Sequence, residues 1–201
     1  SIQTTVTGGT APYTYHWDDG NVSINRNSLS AGTYILTVND YNNCSATASA
    51  TITQPAVALN IVVNNVSNVN CYGNNSGAIN ITTGGGTQPY SYVWNDGNTS
   101  QNRTNLAAGN FQLTVTDSHG CSATVLAQIT QPLQALNIGA LTATDVLCYG
   151  ASNGSITSSV AGGTYPYYYS WSNGSTTSSL SNLAQGSYFL TVSDYNGCSA
   201  S

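Results

Sequence analysis

Apolar and polar residues alternate in short runs along this chain, and nowhere do they recur at a helical period. Ile79-Asn80-Ile81 and Phe111-Gln112-Leu113-Thr114-Val115 alternate strictly, and Ala123 to Ile129 does so with one slip. A period of two sends successive side chains to opposite faces, so these runs predict half-buried antiparallel strands. Tyr90, Tyr92 and Trp94 share one face of another strand, which ends at Asn95-Asp96-Gly97. Asp-Gly and Asn-Gly favour the positive φ of a tight hairpin. A second turn reads Asp117-Ser118-His119-Gly120, with Asn43 standing where its counterparts carry Gly120 and Gly197. Asn and Gly both tolerate the left-handed region, which accounts for the exchange.

The same pattern returns after 77 residues without a gap. Pro12, Pro89 and Pro166 align, as do Trp17, Trp94 and Trp171; Leu29, Leu106 and Leu183; Gly32, Gly109 and Gly186; and Cys44, Cys121 and Cys198. Cys71 aligns with Cys148, and Asp40 with Asp117 and Asp194. This is an array of one module. Joints fall at Gln54-Pro55 and Gln131-Pro132, each followed by a fresh apolar run, so residues 1–55, 56–132 and 133–201 are the expected modules, only the middle one complete. Further repeats are expected at both ends. About seven short strands per module, with turn signals every 8–12 residues, point to an all-β fold of immunoglobulin-like or fibronectin-like antiparallel sandwiches.

Only 4% of the 201 residues are charged, against roughly 25% in ordinary domains. The two bases, Arg26 and Arg103, face seven Asp and no Glu, so no basic stripe exists to meet a phosphate backbone, and nucleic acid is not an expected partner. No run reaches the roughly 20 apolar residues of a membrane-crossing helix.

Five cysteines allow two regular pairings, Cys71 with Cys121 inside a module or Cys44 with Cys71 across a joint. Counting successive chain reversals from the strand before Cys71 brings the turn before Cys121 back to the same end. The expected disulfides are therefore Cys71–Cys121 and Cys148–Cys198, with the partner of Cys44 outside the chain. Closing a loop of about 50 residues stabilises by about 4 kcal/mol on the chain-entropy estimate. A metal site is the rival, but no module supplies Cys-x-x-Cys spacing. Disulfides imply an oxidising, extracellular setting.

Catalysis needs a nucleophile with its base, paired carboxylates or a metal. His16 and His119 occupy different places in the module, so neither belongs to a recurring site, and His119 reads as a surface turn residue. Asp18, Asp19 and Asp96 sit at hairpin tips where Asn173 also serves, which is turn chemistry. Asp40, Asp117 and Asp194 close a strand just before a turn. An Asx-turn cap is the plain reading, and a single calcium ligand between modules the sharper one. No catalytic residue, cofactor or resident metal is expected. The in-register tryptophans are expected in the core, whereas Tyr165, Tyr167, Tyr168 and Tyr169 crowd one module, so at least one must face outward, where glycan or a second filament could meet it.

The string Gly8-Gly9-Thr10-Ala11-Pro12-Tyr13-Thr14-Tyr15, then Trp17, Leu29 to Tyr34, Asp40, Cys44 and Thr51-Ile52-Thr53-Gln54-Pro55, resembles the SprB repeat of very large surface adhesins of gliding Bacteroidetes. The likeness recurs in all three modules, with Gln88 in place of Ala11. It implies secretion by the type IX system, display at the outer cell surface, and contact with the gliding machinery, with surface or glycan ligands bound elsewhere in the protein. These modules would then be stalk repeats of an extracellular filament, or, as the alternative, polysaccharide-binding modules.

Overall fold

The computed structural model describes residues 1–201, all of them in strands, turns and loops. The chain divides into two compact units, Ser1–Ala56 and Val57–Ser201. In the first, β1 (Thr14–Trp17), β2 (Gly32–Asn39) and β3 (Ser45–Ile52) form one antiparallel sheet in the order β1-β2-β3. A bridge between Ile2 and Arg26 lies outside it.

The second unit opens with β4 (Asn60–Ser67), β5 (Gly77–Gly84), β6 (Ser91–Trp94), β7 (Arg103–Leu106), β8 (Gly109–Thr116) and β9 (Ser122–Ile129). They make two three-stranded antiparallel sheets, β4-β5-β7 and β6-β8-β9, so the module has six strands rather than about seven. Alternation decides which side chains meet between the sheets. Ile79 and Ile81 face inward from one, and Trp94, Leu113, Val115, Ala127 and Ile129 from the other, while the slip in the last strand puts Leu126 on the outer face, exposed. Burying a Leu or Ile in this way stabilises by about 1.5–3 kcal/mol.

Strand directions follow from the pairing. β5 runs antiparallel to β4 and β7, and β8 antiparallel to β6 and β9. The Val69 N–H donates to the Thr130 carbonyl at 2.9 Å, so the exits of β4 and β9 share one end of the sandwich. The Thr87 N–H donates to Asp117 Oδ2 at 3.0 Å, so the exits of β5 and β8 share the other. β6 and β7 therefore run the same way. The Asn95-Asp96-Gly97 turn does reverse the chain, with Gly97 at φ 82° donating to the Trp94 carbonyl. The irregular stretch after it bends again at Gln101 and Asn102 as it crosses to the other sheet.

In the next module the long strands are broken into β10 (Asn137–Ile138), β11 (Thr142–Thr144), β12 (Gly154–Thr157) and β13 (Val160–Ala161). Gly139 stands where Val62 was, and Ser158 where buried Ile81 was, which removes the side chains that held the unbroken strands. β14 (Tyr168–Trp171), β15 (Ser179–Leu183), β16 (Leu190–Ser193) and β17 (Ser199–Ala200) complete the sheets β10-β13, β11-β12-β15 and β14-β16-β17. Trp171, Leu180, Leu183, Leu190 and Val192 form its core.

The turn tips at Asp19 and Asp96 carry one more device. Arg103 is buried, donates to Asp96 Oδ1 at 3.0 Å and Oδ2 at 2.6 Å, and lies over the rings of Trp94 and Phe111. Arg26 repeats this on Asp19, Trp17 and Tyr34. Its guanidinium and those hydrogen bonds hold the Asp19 carboxyl below the ordinary value, and the Arg103 hydrogen bonds do the same to Asp96. In the last module Leu180 and Asn173 replace the pair together, so an apolar residue fills the covered position and no charge is left unpaired.

Two variants check this account by chemical and thermal unfolding. Leu113→Ala, at a fully buried position, is expected to cost about 3 kcal/mol. Asp96→Asn alone should lower Tm, because Arg103 keeps its buried place without a carboxylate. Adding Arg103→Leu should recover most of the loss by copying the last module.

Candidate functional site

The residues that recur most faithfully gather at one end of each sandwich. The loop after β5 carries Gly85 and Gly86 at φ 67° and 58°, a region in which side chains are strained. A Cβ on Gly86 would stand 2.8 Å from Asp117 Oδ2, so only glycine lets the loop reach the carboxylate. Tyr90 locks the loop by donating its hydroxyl to the Gly85 carbonyl at 2.6 Å, after a cis Gln88-Pro89 bond. Tyr13 and Tyr167 do the same for Gly8 and Gly162.

Asp117 is the other half. Its Oδ2 accepts from Thr87 N–H, and its Oδ1 accepts from His119 N–H and Cys121 N–H, both at 2.9 Å. Asp194 repeats the arrangement with Thr164, Asn196 and Cys198 at 2.8–3.0 Å, and Asp40 with Thr10, Asn42 and Cys44 at 2.8–3.0 Å. The Asx-turn expected from the sequence is present, and one oxygen also reaches across to the opposite sheet, which the sequence reading missed. Where a calcium ion would need free oxygens, three amide N–H groups already point at them. No three His, Cys, Asp or Glu side chains cluster.

Burial works against ionisation at Asp117, yet the Thr87, Cys121 and His119 amides outweigh it and hold the carboxyl below its ordinary value of 3.8. At Asp40 the Thr10 and Cys44 amides lower it in the same sense.

The cysteines depart from expectation. Cys71 is bonded to Cys198, 127 residues away, with 5.6 Å between their Cα atoms, and Cys44, Cys121 and Cys148 are free and exposed. Neither Cys71–Cys121 nor Cys148–Cys198 forms. The reversal count assumed that every turn flips the chain once, but β6 and β7 run alike. Cys71 consequently leaves at the end where β9 exits, and Cys121 sits at the end where β8 exits. The bond joins two modules instead, and the joint is reinforced around it. Asn196 Nδ2 donates to the Asn70 carbonyl at 3.0 Å, and Gly73 N–H donates to Gln131 Oε1 at 2.9 Å. Gln131 belongs to the Gln-Pro pair read as the joint.

Trp17, Trp94 and Trp171 are core residues, each donating its indole N–H to a carbonyl six residues on at 2.7–2.8 Å. In the tyrosine-rich segment leading into and through β14, Tyr165 and Tyr168 face solvent while Tyr167 and Tyr169 pack inward. His16 lies in β1 and His119 in the turn after β8, unrelated positions in the module.

A sandwich whose constant residues build a loop lock and a carboxylate cap, copied at a fixed interval, defines a tandem-repeat protein. The SprB repeat profile matches residues 1–22, 63–99 and 140–176, three segments in the same 77-residue register, so the chain carries SprB repeats. No curated protein matches it. Among solved structures, three N-terminal domains of the bacteriophage RB49 highly immunogenic outer capsid protein (Hoc) are similar at 17% identity, over 83% of this chain and 67% of that one, with a TM-score of 0.43. A tetra-tandem repeat from the extending region of a large adhesion protein is similar at 16% identity, over 96% of this chain and 66% of that one, with a TM-score of 0.25. No helix is long and apolar enough to cross a membrane.

The carboxylate cap carries a pH signature. Because Asp40 and Asp117 have lowered folded-state values, their contribution is present above about pH 3.8 and is lost as pH falls through those lower values. Asp117→Asn is expected to lower Tm at neutral pH and to flatten the decline of Tm between about pH 5 and pH 2. A decline as steep as that of the parent protein would assign the acid sensitivity to other groups.

Proposed function

We propose that this chain is a spacer segment in the stalk of a large secreted adhesin, exported by the type IX system, displayed at the outer cell surface and moved by the gliding machinery. The observation that supports the reading most is the covalent joint: Cys71–Cys198 ties one module to the next, so a pull along the chain meets a bond rather than a flexible linker. Low charge suits the same role, since a surface of Ser, Thr, Asn and Gly keeps its contacts at any ionic strength. The family and fold are those of a structural repeat rather than of an enzyme. Other parts of the protein would carry the adhesive contact, the anchor and the motor contact.

Single-molecule pulling of the chain from its two ends tests this. The oxidised protein should hide the 127-residue span between its bonded cysteines. Reduction should then release about 40–45 nm of additional contour, at 3.3–3.6 Å per residue. Release of that length from the oxidised chain at the same low force would remove the mechanical reading.

A second reading rests on the outward tyrosines of the last module, Tyr149, Tyr165, Tyr168 and Tyr195, which offer stacking faces to a polysaccharide. Retention of the chain on immobilised polysaccharide, lost in Tyr165→Ser/Tyr168→Ser, would favour it. Equal mobility with and without the glycan would set it aside.

A further inference from the structure

The Cys71–Cys198 bond has two halves, and each exists elsewhere in the chain with no partner. One half is the loop cysteine that follows the module's first strand. In Cys71 its carbonyl accepts from Asn74 N–H at 3.1 Å, with Gly73 at φ 78°. Cys148 stands in the same loop, its carbonyl accepting from Ala151 N–H at 3.0 Å, with Gly150 at φ 77°. The other half is the turn cysteine whose amide is held by the aspartate cap. Cys198 donates its N–H to Asp194 Oδ1 at 2.9 Å, Cys121 to Asp117 at 2.9 Å and Cys44 to Asp40 at 2.8 Å. All three free thiols are exposed. Their backbones are already in the shape that the bonded pair has.

The bonded residues are separated by one 77-residue period plus the stretch from a loop cysteine to the turn cysteine of its own module. The pairing rule is therefore loop cysteine of one module to turn cysteine of the next. At the Cys44 turn the recognising side chain is also in place, whereas the Cys121 turn carries His119 at that position. Asn196 reaches the Asn70 carbonyl from a side chain held by Thr164 Oγ1 at 3.1 Å, and Asn42 is held by Thr10 Oγ1 at the same distance.

We infer that Cys148 and the turn cysteines Cys44 and Cys121 are half-sites of the same joint, and that the partner of Cys148 is the aspartate-capped turn cysteine of another SprB module. An array of these repeats is then a ladder with one rung at every joint. Bond formation needs a disulfide oxidant of the oxidising compartment. The Cys148 thiolate attacks that oxidant, releasing one thiolate and leaving a mixed disulfide. The turn-cysteine thiolate then attacks the Cys148 sulfur, releasing the second thiolate. Two protein thiols lose two protons and two electrons, one S–S bond forms, and the oxidant is reduced to two thiols.

Because the rule pairs a loop cysteine with the turn cysteine of a following module, a second copy of the 201-residue protein is the partner to offer Cys148. Incubating the full chain, its Cys71–Cys198 bond intact, with oxidised glutathione should give covalent head-to-tail oligomers. Chymotryptic peptide mapping should find Cys148 joined to Cys44 or Cys121. Cys148→Ser should cut the oligomers at least tenfold, whereas Cys44→Ser should leave Cys148–Cys121 links. Oligomers that persist in Cys148→Ser, a predominance of Cys148–Cys148 or turn-to-turn links, or an absence of oligomers while maleimide still labels Cys148 would each overturn the rule. The spacer reading is judged separately by pulling, since the Cys71–Cys198 span exists within one chain whatever a second copy does.

Discussion

One carboxylate with three amide donors underlies most of this architecture. Asp117 closes its own turn through His119 and Cys121, and holds the opposite sheet through Thr87. A sandwich with two three-stranded sheets has few contacts at its ends, and in a chain with so little charge a network of ion pairs is not available to fasten them. A buried carboxylate that meets only N–H donors does so without a counter-ion, because amide dipoles supply the positive potential. Gly86 of the facing loop follows from it, since a Cβ would crowd the Asp117 oxygen, while Gly85 beside it is needed for the close approach of the Ala58 carbonyl.

In the last module the equivalent carboxylate, Asp194, sets the joint. One of its amide partners belongs to the cysteine, so the geometry that joins the two sheets also positions the sulfur that joins two modules. Fold and assembly are thereby coupled at a single residue. Where the module changes, it changes in groups that keep this end intact. Arg103 and Asp96 give way together to Leu180 and Asn173 at the turn tips, and although the strands β10 to β13 are broken, the loop after β13 still reaches Asp194 through Thr164.

The sequence disclosed what depends on local pattern. Alternation located the β8 and β9 strands and the inward Trp94, the 77-residue register marked the module, and Asp117 was recognisable as a turn cap because Asx chemistry is local. What it hid depends on the path of the chain between strands. The bend at Gln101 and Asn102 carries no strong turn signal, so the common direction of β6 and β7, and with it the end at which Cys121 lies, was not legible. The pairing of Arg103 with Asp96 left one usable trace, the joint disappearance of both residues in the last module. Across-sheet reach, such as that from Asp117 to Thr87, leaves none, because the two residues are near only after folding.

The rung between Cys71 and Cys198 also changes what a protease can achieve. It encloses the last strands of one module and nearly all of the next in a covalent ring. A single cut at any peptide bond inside that ring opens the backbone without parting the two pieces, and everything on either side stays attached. A fibre assembled this way would outlast isolated nicks along its length, and would be severed by one cut only where the backbone runs outside every such ring.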